Sequence, residues 1–567
     1  MTLALNIQNL TYQYRGQKKP ALDRVSLDVA QGDSLVIMGP TEAGKSTLAA
    51  TMNGLVPHFF KGRIDGTVTV LGRNTGERTV AELSGRVGMV FQDFEAQLFS
   101  TNVELEVAFG PENLGLPRGE IVRRVDENLR LVRLAGFKRR SPATLSGGQK
   151  QKLAIASILA LKPQLLVMDE PTTDLDPESK KEVFRIAEEL CLREEMTLVT
   201  VEQETEEVLN AKKILLLKDG RVAGYGPASE ILRQIDLLEG VGVMPPAVPA
   251  YFHRMACQSL PLTIEDGLRE FAARGWLISG EAYTNIVENE SRRDARYGET
   301  IIACEDLEYV YPGGVKALSG VNVAIRRKEI VAIIGQNGGG KTTLAKHLNG
   351  LLLPSKGRVS VTGLSTTGQT LFELGRTVAY VFQNPDHQIF SETVFDEVAF
   401  GLKQRKMADQ EIRGHVEQAL AAVGLTGFEH EDPFSLTKSG RKRVAVASVL
   451  ALKPDVLILD EPTTGLDYPE QRSMMEMIRN LNEQGCTIIF ITHHMWIVAE
   501  YAHRVLVLKE GQVLMQGTPR EVFARQELAE AALSPPGVTA FSTALGKTVL
   551  SIEELALCTL TGGNARR

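Results

Sequence analysis

The chain has 567 residues, a formal net charge of −7 and 43% hydrophobic residues, enough for roughly three to five domains with full apolar cores. No apolar run approaches the ~18–20 residues of a membrane-crossing helix, the start reads as polar rather than as a signal peptide, and an acidic balance without a basic block argues against a nucleic-acid partner. The five cysteines (Cys191, Cys257, Cys304, Cys486, Cys558) lie far apart with no CxxC pair, which reads as reduced thiols rather than metal ligands.

In chain order, residues 6–14 and 26–30 alternate and carry β-formers, predicting strands. Ser34–Met38 is a short continuous apolar run, as in a buried parallel strand. It leads into Gly39-Pro40-Thr41-Glu42-Ala43-Gly44-Lys45-Ser46, with a helix expected from Thr47. Strand, glycine-rich loop and helix make the context of a phosphate loop. Backbone N–H groups cradle the phosphates, Lys45 reaches the β/γ oxygens and Ser46 holds Mg²⁺. Further on, Leu145-Ser146-Gly147-Gly148-Gln149 opens another helix, and its paired glycines leave backbone N–H groups bare for an anion. Its own domain already has a phosphate loop, so this stretch is expected to face a different nucleotide. Leu165–Asp169 reads as a buried strand, ending in Asp169 and followed by Glu170. The first carboxylate can orient Mg²⁺ and the second can polarise an attacking water.

The pattern then recurs. Residues 330–334 lead into Gly335-Gln336-Asn337-Gly338-Gly339-Gly340-Lys341-Thr342, with Thr343 next. Gln92 pairs with Gln383, Val103 with Val394, Leu145 with Leu436 and Asp169 with Asp460, each 291 residues apart. The tails repeat as well: Pro245-Pro246 matches Pro535-Pro536, and residues 263–266 and 551–554 both read as capping boxes. The chain is therefore an internal duplication. Residues 1–230 are read as one ATP-binding domain, 231–284 as a helical extension, and 285–300, charged and poorly periodic, as a linker. Residues 301–522 and 523–567 are read as the second domain and its extension.

These motifs, over nearly the whole chain, resemble the ATP-binding cassette (ABC) family. The resemblance implies an α/β fold of two tandem P-loop ATPase domains, each with a RecA-like core, an antiparallel β portion and a helical signature subdomain. ATP and Mg²⁺ are the implied substrate and cofactor. Gln92 and Gln383 resemble glutamines that bind Mg²⁺ or water, and Tyr14 and Tyr311 resemble aromatics that stack on adenine, the alternative being plain strand tyrosines. Asp176 and Asp467 resemble residues that cross to the opposite site, and His493 resembles a switch histidine that contacts the γ-phosphate. Such domains are expected to pair head to tail within the chain, each nucleotide shared by one phosphate loop and the other unit's signature. On that expectation the departures from pattern converge. Glu42 puts an acid in the first loop, Gln203 stands at the first switch position, and Leu436-Thr437-Lys438-Ser439-Gly440 replaces the glycine pair of the second signature. One degenerate site is thus expected, with Glu170 still present, and one working site built on Lys341, Gln383, Asp460, Glu461, His493 and the Ser146 signature.

Two further runs, Gln97-Leu98-Phe99 with Ala108-Phe109-Gly110 and Gln388-Ile389-Phe390 with Ala399-Phe400-Gly401, resemble the ATPases of energy-coupling factor (ECF) transporters, importers of vitamins and transition-metal ions. That resemblance implies a transmembrane coupling subunit and a substrate-capture membrane protein as partners, with the chain peripheral on the cytoplasmic membrane face. Glu104, Glu106, Asp396 and Glu397 are then expected to meet arginines of the coupling subunit by charge complementarity. The alternatives are the tandem ATPase of a sugar-type importer and a soluble ABC ATPase acting on ribosomes or DNA. The cargo, chosen by a separate subunit, is not written in this chain.

Overall fold

A computed structural model describes residues 2–171, 180, 182–187, 189 and 196–561. The chain divides into two compact units, Met1–Leu262 with Asp467–Pro469, and Thr263–Leu466 with Glu470–Arg567.

In the first unit, one sheet runs in the order Arg221–Pro227, Lys213–Lys218, Ser34–Met38, Thr197–Val201, Leu165–Asp169, Val87–Val90. All neighbours are parallel except the first pair. Every residue of the last three strands is buried, because a parallel sheet is covered on both faces. Alternate residues feed two cores. Leu35, Ile37, Leu165 and Val167 pack with Leu5, Ile7 and Leu10 of an antiparallel sheet. Leu166 and Met168 pack with Val103, Val107, Leu153 and Ile155 of the helices on the other side. The antiparallel sheet orders Leu22–Ala30, Leu3–Tyr14, Gly62–Val70 and Arg73–Asn74.

The second unit repeats this plan, with parallel strands Val378–Val381, Val456–Asp460, Thr487–Ile491, Ile330–Gly335 and Arg504–Lys509, then antiparallel Gln512–Gly517. Parallel strands deliver the loops that follow them to one edge of the sheet, where ligand sites of α/β folds form. Phosphate loop, paired carboxylates and switch residue are brought together for that reason.

The tails differ in detail from their sequence reading. Gly280–Ser291 is a helix, so residues 285–291 continue regular structure where a linker was expected. Glu290 on this helix pairs at 2.7 Å with Arg520, which also meets Glu554 at 3.0 Å. Leu277–Ile278 pairs antiparallel with Thr559–Leu560, so the extensions contain a small sheet besides helices. Thr263 and Ser551 do cap their helices, accepting from the N–H groups of Asp266 and Glu554 at 3.1 Å each. The reciprocal half of each box is replaced, since Asp266 accepts from the Thr263 hydroxyl and Glu554 from the Leu550 N–H. Among the described residues no helix is long and apolar enough to cross a membrane.

Candidate functional site

In the second unit the strand Ile330–Gly335 ends on Gly335 at φ 146, where the Leu508 carbonyl occupies the space a Cβ would need. The loop closes at Gly340 (φ 99) and the helix Lys341–Leu348 begins. Lys341 is buried and donates to the carbonyls of Gly335 at 2.8 Å and Gln336 at 2.9 Å. Thr342 Oγ1 donates to Asp460 Oδ1 at 3.4 Å, and Tyr380 OH donates to Asp460 Oδ2 at 2.7 Å. Burial pushes the Asp460 carboxyl above its ordinary range. Glu461 follows with φ 53 and its side chain buried. Its Oε2 lies 2.7 Å from His493 Nε2 and accepts from Thr464 Oγ1 at 2.9 Å. Burial alone would raise this carboxyl, but His493, Lys341 and Thr464 together outweigh burial and hold it below its ordinary value. Tyr311 OH lies 3.1 Å from Thr343 Oγ1. Gln383 is exposed, and among the described residues it makes no hydrogen bond to Asp460 or Glu461.

The first unit builds the same frame with other chemistry. Gly39 at φ 150 faces the Leu217 carbonyl, and Lys45 donates to the carbonyls of Gly39 at 2.9 Å and Pro40 at 2.8 Å. Ser46 Oγ donates to Asp169 Oδ1 at 3.1 Å. Burial, reinforced by Glu170, pushes the Asp169 carboxyl up to about 6. Glu170 (φ 45) accepts on both oxygens from neutral amides, Gln92 Nε2 at 2.8 Å and Gln203 Nε2 at 2.8 Å. Tyr14 OH lies 3.0 Å from Thr47 Oγ1. Glu42 sits at φ 62, where the second loop has Gly338 at φ 78; a left-handed L-residue there costs roughly 1–2 kcal/mol. Asp467, which falls in this unit, accepts from the Thr41 N–H at 2.9 Å. Asp176 lies outside the described residues.

The two signatures also diverge. Ser146 and Gln149 form a complete capping box on the helix Gly147–Leu159, and Gly147 has open space around it. Thr437 caps Lys438–Leu450, accepting from Gly440 N–H at 3.2 Å, but a glycine at that third position cannot return the bond. Lys438 replaces Gly147, and its ammonium fills the space a Cβ at Gly465 would take.

One expectation is corrected. Glu106 and Glu397 are buried, 3% exposed each, and are not available to a partner's arginines. Each carboxylate accepts two backbone N–H groups of the preceding loop, Glu106 from Phe99 and Ser100 at 3.1 and 2.7 Å, Glu397 from Phe390 and Ser391 at 3.0 and 2.9 Å. They shape the loop that displays the phenylalanines. Asp396, by contrast, stays half-exposed while bonding locally to Thr393 and pairing with Lys403 at 2.8 Å. Sequence reasoning missed Tyr380 and Thr464. Thr464 had a signal, standing three residues after Glu461, whereas Tyr380 lies 80 residues from Asp460 with no local mark. Among the described residues no group of three or more His, Cys, Asp or Glu side chains could hold a metal ion by itself.

The profile of the family described as ABC transporter matches residues 22–173 and 318–464. A protein of Caldanaerobacter subterraneus subsp. tengcongensis, an ABC transporter ATP-binding protein by name, is 51% identical over 558 residues, 98% of each chain. One of Methanosarcina mazei with the same name is 39% identical over 547 residues, 94% of this chain and 92% of its own. Among solved structures, cbiO1 from Clostridium perfringens, described as part of the ABC transporter complex cbiONQ, is 40% identical. It spans 41% of this chain and 94% of its own, with a TM-score of 0.39.

Proposed function

This chain belongs to the ABC transporter ATP-binding proteins and is an ATPase, and from that premise we propose that it energises an ECF-type importer of vitamins or transition-metal ions, hydrolysing ATP mainly at the Glu461 site. The observation that carries the asymmetry is the company of the two glutamates. Glu461 faces a histidine at 2.7 Å, whereas Glu170 is tied by two glutamine amides at 2.8 Å.

At the Glu461 site the ionised carboxylate accepts a hydrogen bond from the attacking water and orients it for in-line displacement. His493 lies beside it, able to donate toward the γ-phosphate, and Lys341 turns from the loop carbonyls to the β/γ oxygens. The hydroxyl of Thr342 and the carboxylate of Asp460 are hard oxygen donors, as are Ser46 and Asp169, and so fit Mg²⁺, which needs only one or two such groups besides phosphate and water. Bound there, Mg²⁺ supplies charge neutralisation for the transferring phosphoryl group. At the Glu170 site an amide on each carboxylate oxygen competes with a water for the carboxylate, and Gln203 cannot carry the charge of a protonated histidine.

The importer reading is supported by a duplicated exposed feature. Phe99 and Phe109 stack edge to face at 4.6 Å, Phe390 and Phe400 at 4.8 Å, and all four are more than 40% exposed. Paired, solvent-facing aromatics, one on the pinned loop and one on the helix after it, suit the anchoring of an apolar partner helix. Affinity capture of the tagged chain from detergent-solubilised native membranes, read by mass spectrometry, tests it. A small transmembrane coupling subunit with a substrate-capture protein is expected. A periplasmic-type permease pair would move the reading to a sugar-type importer, and ribosomal or DNA-bound proteins alone would overturn transport.

A further inference from the structure

Gln151 and Lys442 hold the same place in the two halves, five residues after the capping Ser146 and Thr437. Both side chains are buried, at 0% and 4% exposure, but they do different things. Lys442 Nζ donates to the backbone carbonyl of Glu461 at 2.9 Å. The Gln151 amide, buried likewise, has no partner on either atom among the described residues. A buried ammonium is retained only where acceptors meet it, and its hydrogen bonds are charge-assisted and strong. The carbonyl it meets belongs to a residue at φ 53, a left-handed backbone that an L-residue adopts only when its surroundings hold it. Glu461 is thereby held at both ends, its peptide by the hydrogen bond from Lys442 and its carboxylate by that from Thr464, with His493 Nε2 2.7 Å away. Glu170 has the same backbone twist, with φ 45, but receives no such bond from Gln151.

We propose that Lys442 is a positioning residue for ATP hydrolysis, anchoring the peptide of Glu461 so that its carboxylate holds the attacking water. This rests on the reading of Glu461 as the working glutamate. The lysine acts through Glu461 and touches no reacting atom, so its removal reduces turnover and spares nucleotide affinity.

The test measures kcat and KM for ATP on the full-length chain carrying Lys442→Gln, Lys442→Met or Lys442→Arg. The Gln and Met variants are expected to lose roughly tenfold or more in kcat, as misplacement of a catalytic group does, with KM within about twofold. Lys442→Arg, which keeps the cation and the donor, is expected to retain most of the turnover. Gln and Met variants that turn over within about twofold of the parent would overturn the proposal, as would an Arg variant no better than Met. If the Gln and Met variants fail to fold, the reverse graft decides: Gln151→Lys in a Glu461→Gln background is expected to raise residual turnover several-fold, and no gain would overturn the role. Glu461→Gln retaining parental turnover would overturn the working-glutamate reading itself. A dead Glu461→Gln beside a fully active Lys442→Met would overturn the lysine's role alone.

Discussion

Glu461 and Glu170 follow equivalent parallel strands, share a left-handed backbone at φ 53 and 45, and are buried to 4% and 8% exposure, yet their carboxylates meet different chemistry. One is beside an imidazole and a hydroxyl, the other between two amides. The fold therefore sets where the carboxylate stands, and a few side chains around it set what that carboxylate meets. Duplication allowed the frame to be kept twice while the surroundings diverged once.

The largest expected effect separates the two carboxylates directly. Glu461→Gln should lower steady-state ATPase by roughly 10²-fold or more, the range for a lost general base, while Glu170→Gln leaves more than half. Equal losses in a coupled assay would break the comparison. Next comes the switch position. His493→Gln makes the second unit resemble the first and should cost roughly tenfold or more in kcat, as the loss of a charge-stabilising group does. Gln203→His in a Glu461→Gln background should recover several-fold of the residual rate, since it replaces one of the two amides on Glu170.

A third experiment probes a place where the halves are alike. Glu106→Ala and Glu397→Ala each leave two backbone N–H groups without their acceptor, so both should destabilise the chain, by about 1–3 kcal/mol. Urea unfolding should give similar shifts for the two, and a loss at only one would show divergence where the hydrogen bonds match. The smallest effect concerns the phosphate loops. Glu42→Gly should stabilise by up to about 1 kcal/mol by relieving left-handed strain, and Gly338→Glu should shift stability the other way.

Much of this frame was legible in the chain. Ser34–Met38 and Leu165–Asp169 stand as strands where their apolar runs place them, because a buried parallel strand leaves no polar alternation to misread. The phosphate loops were legible because their glycines answer a backbone need, Gly39 and Gly335 each sitting against a carbonyl. The acidic residues Glu106 and Glu397 were misread because a charge in sequence does not show which way it points, and theirs turn inward to the preceding loop. Tyr380 and Lys442 reach the Asp460 carboxylate and the Glu461 peptide carbonyl through tertiary packing, 80 and 19 residues away in the chain, with no local mark. Residues 285–291 read as linker because their charges hide a helix that Glu290 fastens to Arg520.

The most direct test of the unequal pair is a rapid-quench count of ADP formed per chain in the first turnover with saturating MgATP. The expected result is one ADP formed rapidly per chain while a second bound ATP persists intact. Two ADP per chain, formed at the same rate, would contradict it.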